Sequence, residues 1–175
     1  VSATVDRLLS FPAEHPELRL ELLGGLVLAA LLGGAIGWER ERAGKPAGLR
    51  TNMLICMAAT LLTDISARVA EAAGPSADPG RIAAQIVTGL GFLGAGTIIQ
   101  ARGQVTGLTT AATLWIVAAI GMALGYGGLV EAVGTTLLVL VILIPVARLE
   151  ASMARADGSG QADEGVDDGP FTSGD

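Results

Sequence analysis

Hydrophobic residues fall along the chain in five long blocks separated by short polar breaks. They run from about Leu20 to Trp38, Thr51 to Val69, Ile82 to Ile99, Leu108 to Leu124 and Leu129 to Ala147. Each approaches the roughly 20 residues that a helix needs to cross a bilayer core of about 30 Å. The fifth contains the most apolar run, Leu137 to Val146 (LLVLVILIPV). The blocks are too long, and polar–apolar alternation too rare, for the strands of a membrane barrel. A segment in lipid must satisfy its own backbone groups, so helices remain. The third and fourth blocks are diluted by Gln85, Thr88, Thr109, Thr110 and Thr113. Both are rich in glycine and alanine, which suits helices packed against helices. The pattern predicts an all-α, polytopic membrane protein of about five transmembrane helices joined through Gly/Ala-rich faces.

Composition narrows the function classes. Charged residues make up only 16% of the 175, against about a quarter in soluble domains. Aromatics at 3% leave no stacking surface for single-stranded nucleic acid, and a net charge of −6 does not suit phosphate binding. Nucleic acid is therefore excluded as a partner; the lipid bilayer is the expected one. The stretch from Ala151 onward holds six acidic residues against Arg155, and so carries −5 of that −6. Residues 149–175 are expected to be a disordered acidic tail, either solubilising or a docking site. Residues 1–19 are read as an N-terminal external segment. Residues 1–17 lack the basic region and cleavage site of a signal peptide, and Val5, Leu8 and Leu9 could lie on the membrane surface ahead of Pro12. The membrane domain is 20–148.

Lysine and arginine set the orientation. If the connection after the first span is cytoplasmic, the inside holds Arg40, Arg42, Lys45, Arg50, Arg102, Arg148 and Arg155, and the outside Arg7, Arg19, Arg68 and Arg81. The denser cluster adjoins the first span, which places the N-terminus outside and the C-terminus in the cytoplasm. Trp38 and Tyr126 then fall at opposite interfaces.

Small residues recur at helical spacing: Gly33 and Gly37 in the first span, Gly121 and Gly125 in the fourth. In the third, Ala84, Thr88, Gly91 and Ala95 share a face, with Gly89, Gly94 and Gly96 beside it. Such faces let backbones approach closely, either within one chain or between copies, and they predict a homo-oligomer, a homodimer foremost. Residues 89–94, GLGFLG, match G-x-G-x-x-G but lie mid-span rather than between a strand and a helix, so no nucleotide site follows.

Ionisable groups inside a membrane are costly and are functional candidates by default. Asp64 is the only carboxylate well inside a span; Arg68, four residues on, shares its face and could neutralise it. The alternative is a proton or cation site, with Gln85, Thr88 and Asn52 as further polar candidates. A magnesium ion wants near-octahedral oxygen ligands, which one such carboxylate per chain does not supply unless several chains contribute. The metal-ligand set stays unassigned, and no cofactor is called for, magnesium ion being the one candidate. At the cytoplasmic mouth Glu39, Arg40, Arg50 and Arg102 form a candidate ionic cluster, in which Glu39 would pair with Arg50 or Arg102. Pro46 forces an extended or turned connection there, and Gly48 could permit a tight re-entry. Cys56 and His15 are each single, and no Ser/His/Asp, Cys/His or HExxH arrangement exists, so an enzyme is not expected.

The stretches GGAIGWERE at 33–41, AGLRTNMLI at 47–55, RIAAQIVTGLGFLGAGTII at 81–99 and GLTTAATLWIVAAIGMALG at 107–125 together resemble the MgtC/SapB family of bacterial inner-membrane proteins. The likeness covers the first four spans in order; the fifth fits by position and hydropathy. It implies a role in magnesium homeostasis and adaptation to low magnesium or acid stress. The family's namesake looks like a non-enzymatic regulator of membrane partners, including ATP synthase or a cation transporter, although members are also labelled magnesium transporters. The alternative is therefore a magnesium or proton transporter or channel with a polar site near Asp64 and Gln85. The acidic tail stands where the namesake has a soluble C-terminal domain, so that domain's functions are not expected here.

Overall fold

The computed structural model describes residues 16–101 and 104–146. The expectations for the segment before Pro16, for Arg102 and for the acidic tail lie outside the described residues. Helix α1 spans Pro16–Arg42, α2 Leu49–Ala73 and α3 Arg81–Thr97. Strands β1 (Ile99–Ala101) and β2 (Gln104–Thr106) follow, then α4 (Leu108–Gly125) and α5 (Leu129–Val141). The all-α class is as the sequence predicts. Three helices, α1 from Leu20, α2 and α4, are long and apolar enough to cross a membrane. Helix α3, at 17 residues, and α5, at 13, are shorter than their sequence blocks.

Two local causes explain the shortening. The third block ends in Ile98-Ile99, β-branched residues that favour extended backbone, and the chain leaves the helix to pair β1 with β2 antiparallel, Ile99 opposite Thr106. Gly107 closes this hairpin at φ +90°, with its Cα so near the Thr97 carbonyl that a Cβ would overlap it. The fifth block breaks at Pro145. Its ring nitrogen cannot donate to the Val141 carbonyl, and Ile142–Val146 forms a π-helical turn. At the other end of the chain, α1 starts at Pro16, a turn ahead of Leu20. A missing N–H is harmless at that first helical position.

Helix α2 is the central element, packed against α1, α3 and α4, and α4 also touches α1 and α3. Its polarity is inverted relative to a soluble helix. Asn52, Thr60, Thr63 and Ser66 are buried, while Leu54, Leu61, Leu62 and Ile65 face outward. The buried hydroxyls mostly find backbone partners. Thr60 Oγ1 lies 2.9 Å from the Cys56 carbonyl and 3.0 Å from that of Gly121, so its one proton is shared within α2 and across to α4. Outward leucine over an inward polar lining is what a lipid solvent selects.

Glycines set the helix separations. A Cβ on Gly33 would stand 2.6 Å from the Asn52 carbonyl oxygen, and one on Gly37 2.8 Å from the Leu49 Cα, so α1 and α2 touch backbone to backbone. On α4 a Cβ at Gly125 would stand 2.6 Å from the Thr63 Cβ, and one at Gly121 would overlap the Cys56 carbonyl oxygen. The α3 glycines differ. A Cβ on Gly94 would meet the Ala111 Cβ at 3.7 Å, but one on Gly89, Gly91 or Gly96 would have no neighbour within 4 Å in this chain, so these three do not set a helix separation within it.

The connections gather at two ends. The α1–α2 loop and the β1–β2 hairpin line one cavity of about 460 Å³. At the other end the Tyr126 hydroxyl donates to the Pro79 carbonyl at 3.1 Å, tying the end of α4 to the α2–α3 connection. Helices α1 to α4 therefore run alternately up and down, as the five-block reading requires.

Candidate functional site

Polar side chains concentrate at both ends of the bundle. At the α1–α2 turn the chain reverses through a Schellman closure. The Gly44 N–H donates to Glu41 O at 3.0 Å and the Lys45 N–H to Arg40 O at 3.0 Å, with Gly44 at φ +64°. The re-entry into α2 is built around Ala47, at φ +58°, while Gly48 keeps an ordinary negative φ. Asn52, fully buried, holds this bend by donating from Nδ2 to the carbonyls of Ala47 at 2.6 Å and Gly48 at 2.9 Å.

The ionic cluster at this end is arranged differently from the sequence expectation. Glu39 pairs with its neighbour Arg40, which is buried, rather than with Arg50, which is exposed. Consecutive residues can meet here because Arg40 points into the bundle and Glu39 lies at its edge. The contact that joins two helices is made by Glu41, whose Oε2 accepts the Leu49 N–H at 2.9 Å and so serves an orphan donor in the first turn of α2. No spacing rule links a carboxylate to an amide eight residues on, which is why the sequence did not reveal it. Glu41→Ala is expected to lower stability by about 1 kcal/mol, the usual worth of a helix N-cap. Glu41→Gln should retain part of that, as read from unfolding midpoints in detergent.

Toward the opposite end, a cavity of about 350 Å³ is lined by α1, α2 and the end of α4, with Glu21, Thr60, Asp64, Arg68 and Glu71 among its walls. Asp64 and Arg68 are one helical turn apart and face each other. Arg68 Nη2 donates to Asp64 Oδ1 at 2.9 Å, and Nε lies 2.7 Å from Oδ2 without hydrogen-bond alignment. Both side chains are about a fifth exposed, at 21% and 23%. Glu21 and Glu71 give the cavity wall an acidic surplus that the spacing of Asp64 alone did not signal. Among the described residues no group of three or more His, Cys, Asp or Glu side chains could hold a metal ion.

The other polar candidates lie elsewhere. Gln85 lines a separate, apolar cavity of about 410 Å³ between α2 and α3, so it does not share a chamber with Asp64. Thr88 is exposed, its hydroxyl directed at the Ala84 carbonyl at 3.4 Å. Asn52 precedes Asp64 by 12 residues, roughly 18 Å along the helix. Ser66, unmarked by any motif, accepts the Ile82 N–H at 3.2 Å and donates to the Pro79 carbonyl, binding α2 to the start of α3.

An all-helical bundle with apolar outer faces, a polar lining and glycine-to-backbone crossings defines an integral membrane protein. Residues 26–152 match the MgtC family, and the chain belongs to it. It is 50% identical over 111 residues to YhiD of Escherichia coli K12, whose name describes a candidate magnesium transporter; that match covers 61% of this chain and 52% of the relative. Protein MgtC of Brucella abortus is 39% identical over 142 residues, 79% of this chain and 58% of the relative. Protein MgtC of Salmonella typhimurium is 42% identical over 136 residues, 77% of this chain and 52% of the relative. The chain thus matches little more than half the length of these relatives. No solved structure matches it.

Proposed function

We propose that this MgtC-family chain is a non-enzymatic regulator in the bacterial inner membrane, acting on other membrane proteins in magnesium homeostasis and in low-magnesium or acid stress. Its partners are a second copy of itself and a proton-translocating ATP synthase or a cation transporter. It needs no cofactor, its N-terminus is outside and its C-terminus is cytoplasmic. The observation that carries the regulatory reading is the Asp64–Arg68 pair. Both oxygens of the carboxylate already face a guanidinium, so a passing cation would have to displace it. Ala84, Thr88, Gly91 and Ala95, all exposed on one face of α3, supply a surface on which a second copy could pack, with no neighbour within 4 Å of a Cβ at Gly91.

A second reading, magnesium or proton transport, is favoured by the acidic lining of the Asp64 cavity and by the name of the Escherichia coli relative. One set of measurements separates the two. Under the regulatory reading, liposomes carrying the chain pass magnesium and protons no faster than empty ones. Native mass measurement finds a dimer, and membrane extracts yield a reproducible membrane partner. Flux above background that Asp64→Asn reduces would establish transport and end the regulatory reading.

A further inference from the structure

Two cavities on the α2–α3 side adjoin at Ile82, which lines both. The first, about 330 Å³, lies between the last turns of α2 and the α2–α3 connection, and its polar lining includes Ser66, Ser76, Asp78 and Arg81. The second, about 410 Å³, continues along the two helices from Ile82 past Gln85 and Gly89 to Leu93, with Leu62 opposite, and is almost wholly apolar. Each volume is in the range of small-molecule sites. Order along α3 fixes the direction. Arg81 is at the helix start and Leu93 three turns deeper, so polarity falls from the connection toward the middle of the bundle. Tyr126, bonded to Pro79 at the same end, marks the level of the membrane interface.

We propose that this two-part cleft binds one phospholipid of the adjoining leaflet, headgroup in the chamber that holds Asp78 and Arg81 and an acyl chain along the apolar one. The charges select the headgroup. Arg81 offers a cation to the phosphate. Asp78, whose Oδ1 accepts the Gly80 N–H at 2.8 Å, keeps a second carboxylate oxygen for an ammonium group. Among the described residues no ion pair joins Asp78 to Arg81. One positive and one negative group fit a zwitterionic lipid with a primary amine, a phosphatidylethanolamine, better than an anionic phosphatidylglycerol. Gly89 lines the lower chamber and keeps it wide: a Cβ there would meet no protein atom within 4 Å, so the groove is open at that position.

The test uses the full chain in nanodiscs of equal phosphatidylethanolamine and phosphatidylglycerol, released into native mass spectrometry. The expected result is one retained phosphatidylethanolamine per chain. Arg81→Gln should lower its retention about tenfold, the loss of one charge-assisted hydrogen bond. Gly89→Leu, whose Cβ would meet no protein atom within 4 Å and whose isobutyl group would enter the groove, should lower it similarly with the circular dichroism spectrum unchanged. Retention that both variants leave intact would overturn the site. Equal or preferential retention of phosphatidylglycerol would overturn the headgroup assignment.

Discussion

Gly121→Ala is expected to unfold at a distinctly lower temperature than the native chain. The added methyl would overlap the Cys56 carbonyl oxygen and come within 2.9 Å of the Ala59 Cβ. Neither obstacle is the free end of a side chain; one is backbone of α2, so the helices must separate. Separation also weakens the Thr60 contact to the Gly121 carbonyl and returns that proton to Cys56 alone. Overpacking of this kind costs about 1–3 kcal/mol, and a backbone obstacle places it toward the upper end. For a chain of this length the midpoint should fall by roughly 5–10 °C. Gly24→Ala is the control with opposite sign. Gly24 is in the same kind of helix, but a methyl there meets nothing within 4 Å, so better helix propensity should stabilise by up to about 1 kcal/mol. Unfolding scans in one detergent measure both. Equal midpoints for the two variants would refute the glycine-set helix spacing.

The second large effect is expected at Arg68. In Arg68→Leu the Asp64 carboxylate loses both of its contacts while staying about four-fifths buried. Removing one member of a buried pair costs about 3–5 kcal/mol, whereas exposed pairs are worth about 0–1. The cavity admits solvent, so a loss of about 2 kcal/mol is expected. The double variant Asp64→Leu/Arg68→Leu should recover most of it, because no charge is then stranded. A cycle in which the two single losses simply add would show that the pair has no energetic coupling. Paired flux measurements on the same variants would show whether this ion pair also governs cation passage.

The fold was largely legible because lipid imposes one simple demand, long runs of apolar residues with satisfied backbones. Blocks two and four became α2 and α4 with small boundary shifts, and the small-residue pairs Gly33/Gly37 and Gly121/Gly125 mark places where helices touch. Less of the candidate site could be read. The i, i+4 spacing of Asp64 and Arg68 brings them onto one face, a purely local consequence of helix geometry. For Glu39, by contrast, the sequence offers Arg50 or Arg102 as partners; among the described residues it meets Arg40 and not Arg50. The transport alternative groups Gln85 with Asp64, but Gln85 lines another cavity.

The sequence by itself determined the solvent, the helical class, the alternating course of the chain and the family, since each follows from local composition, spacing or matched stretches. Only the tertiary structure decided which backbone each glycine meets, that Glu41 rather than Glu39 joins α1 to α2, and that α3 leaves three glycines uncovered. Those outcomes depend on the rotation of each helix about its axis relative to its neighbours. Hydropathy is nearly blind to that rotation when the outer faces of a helix contact lipid.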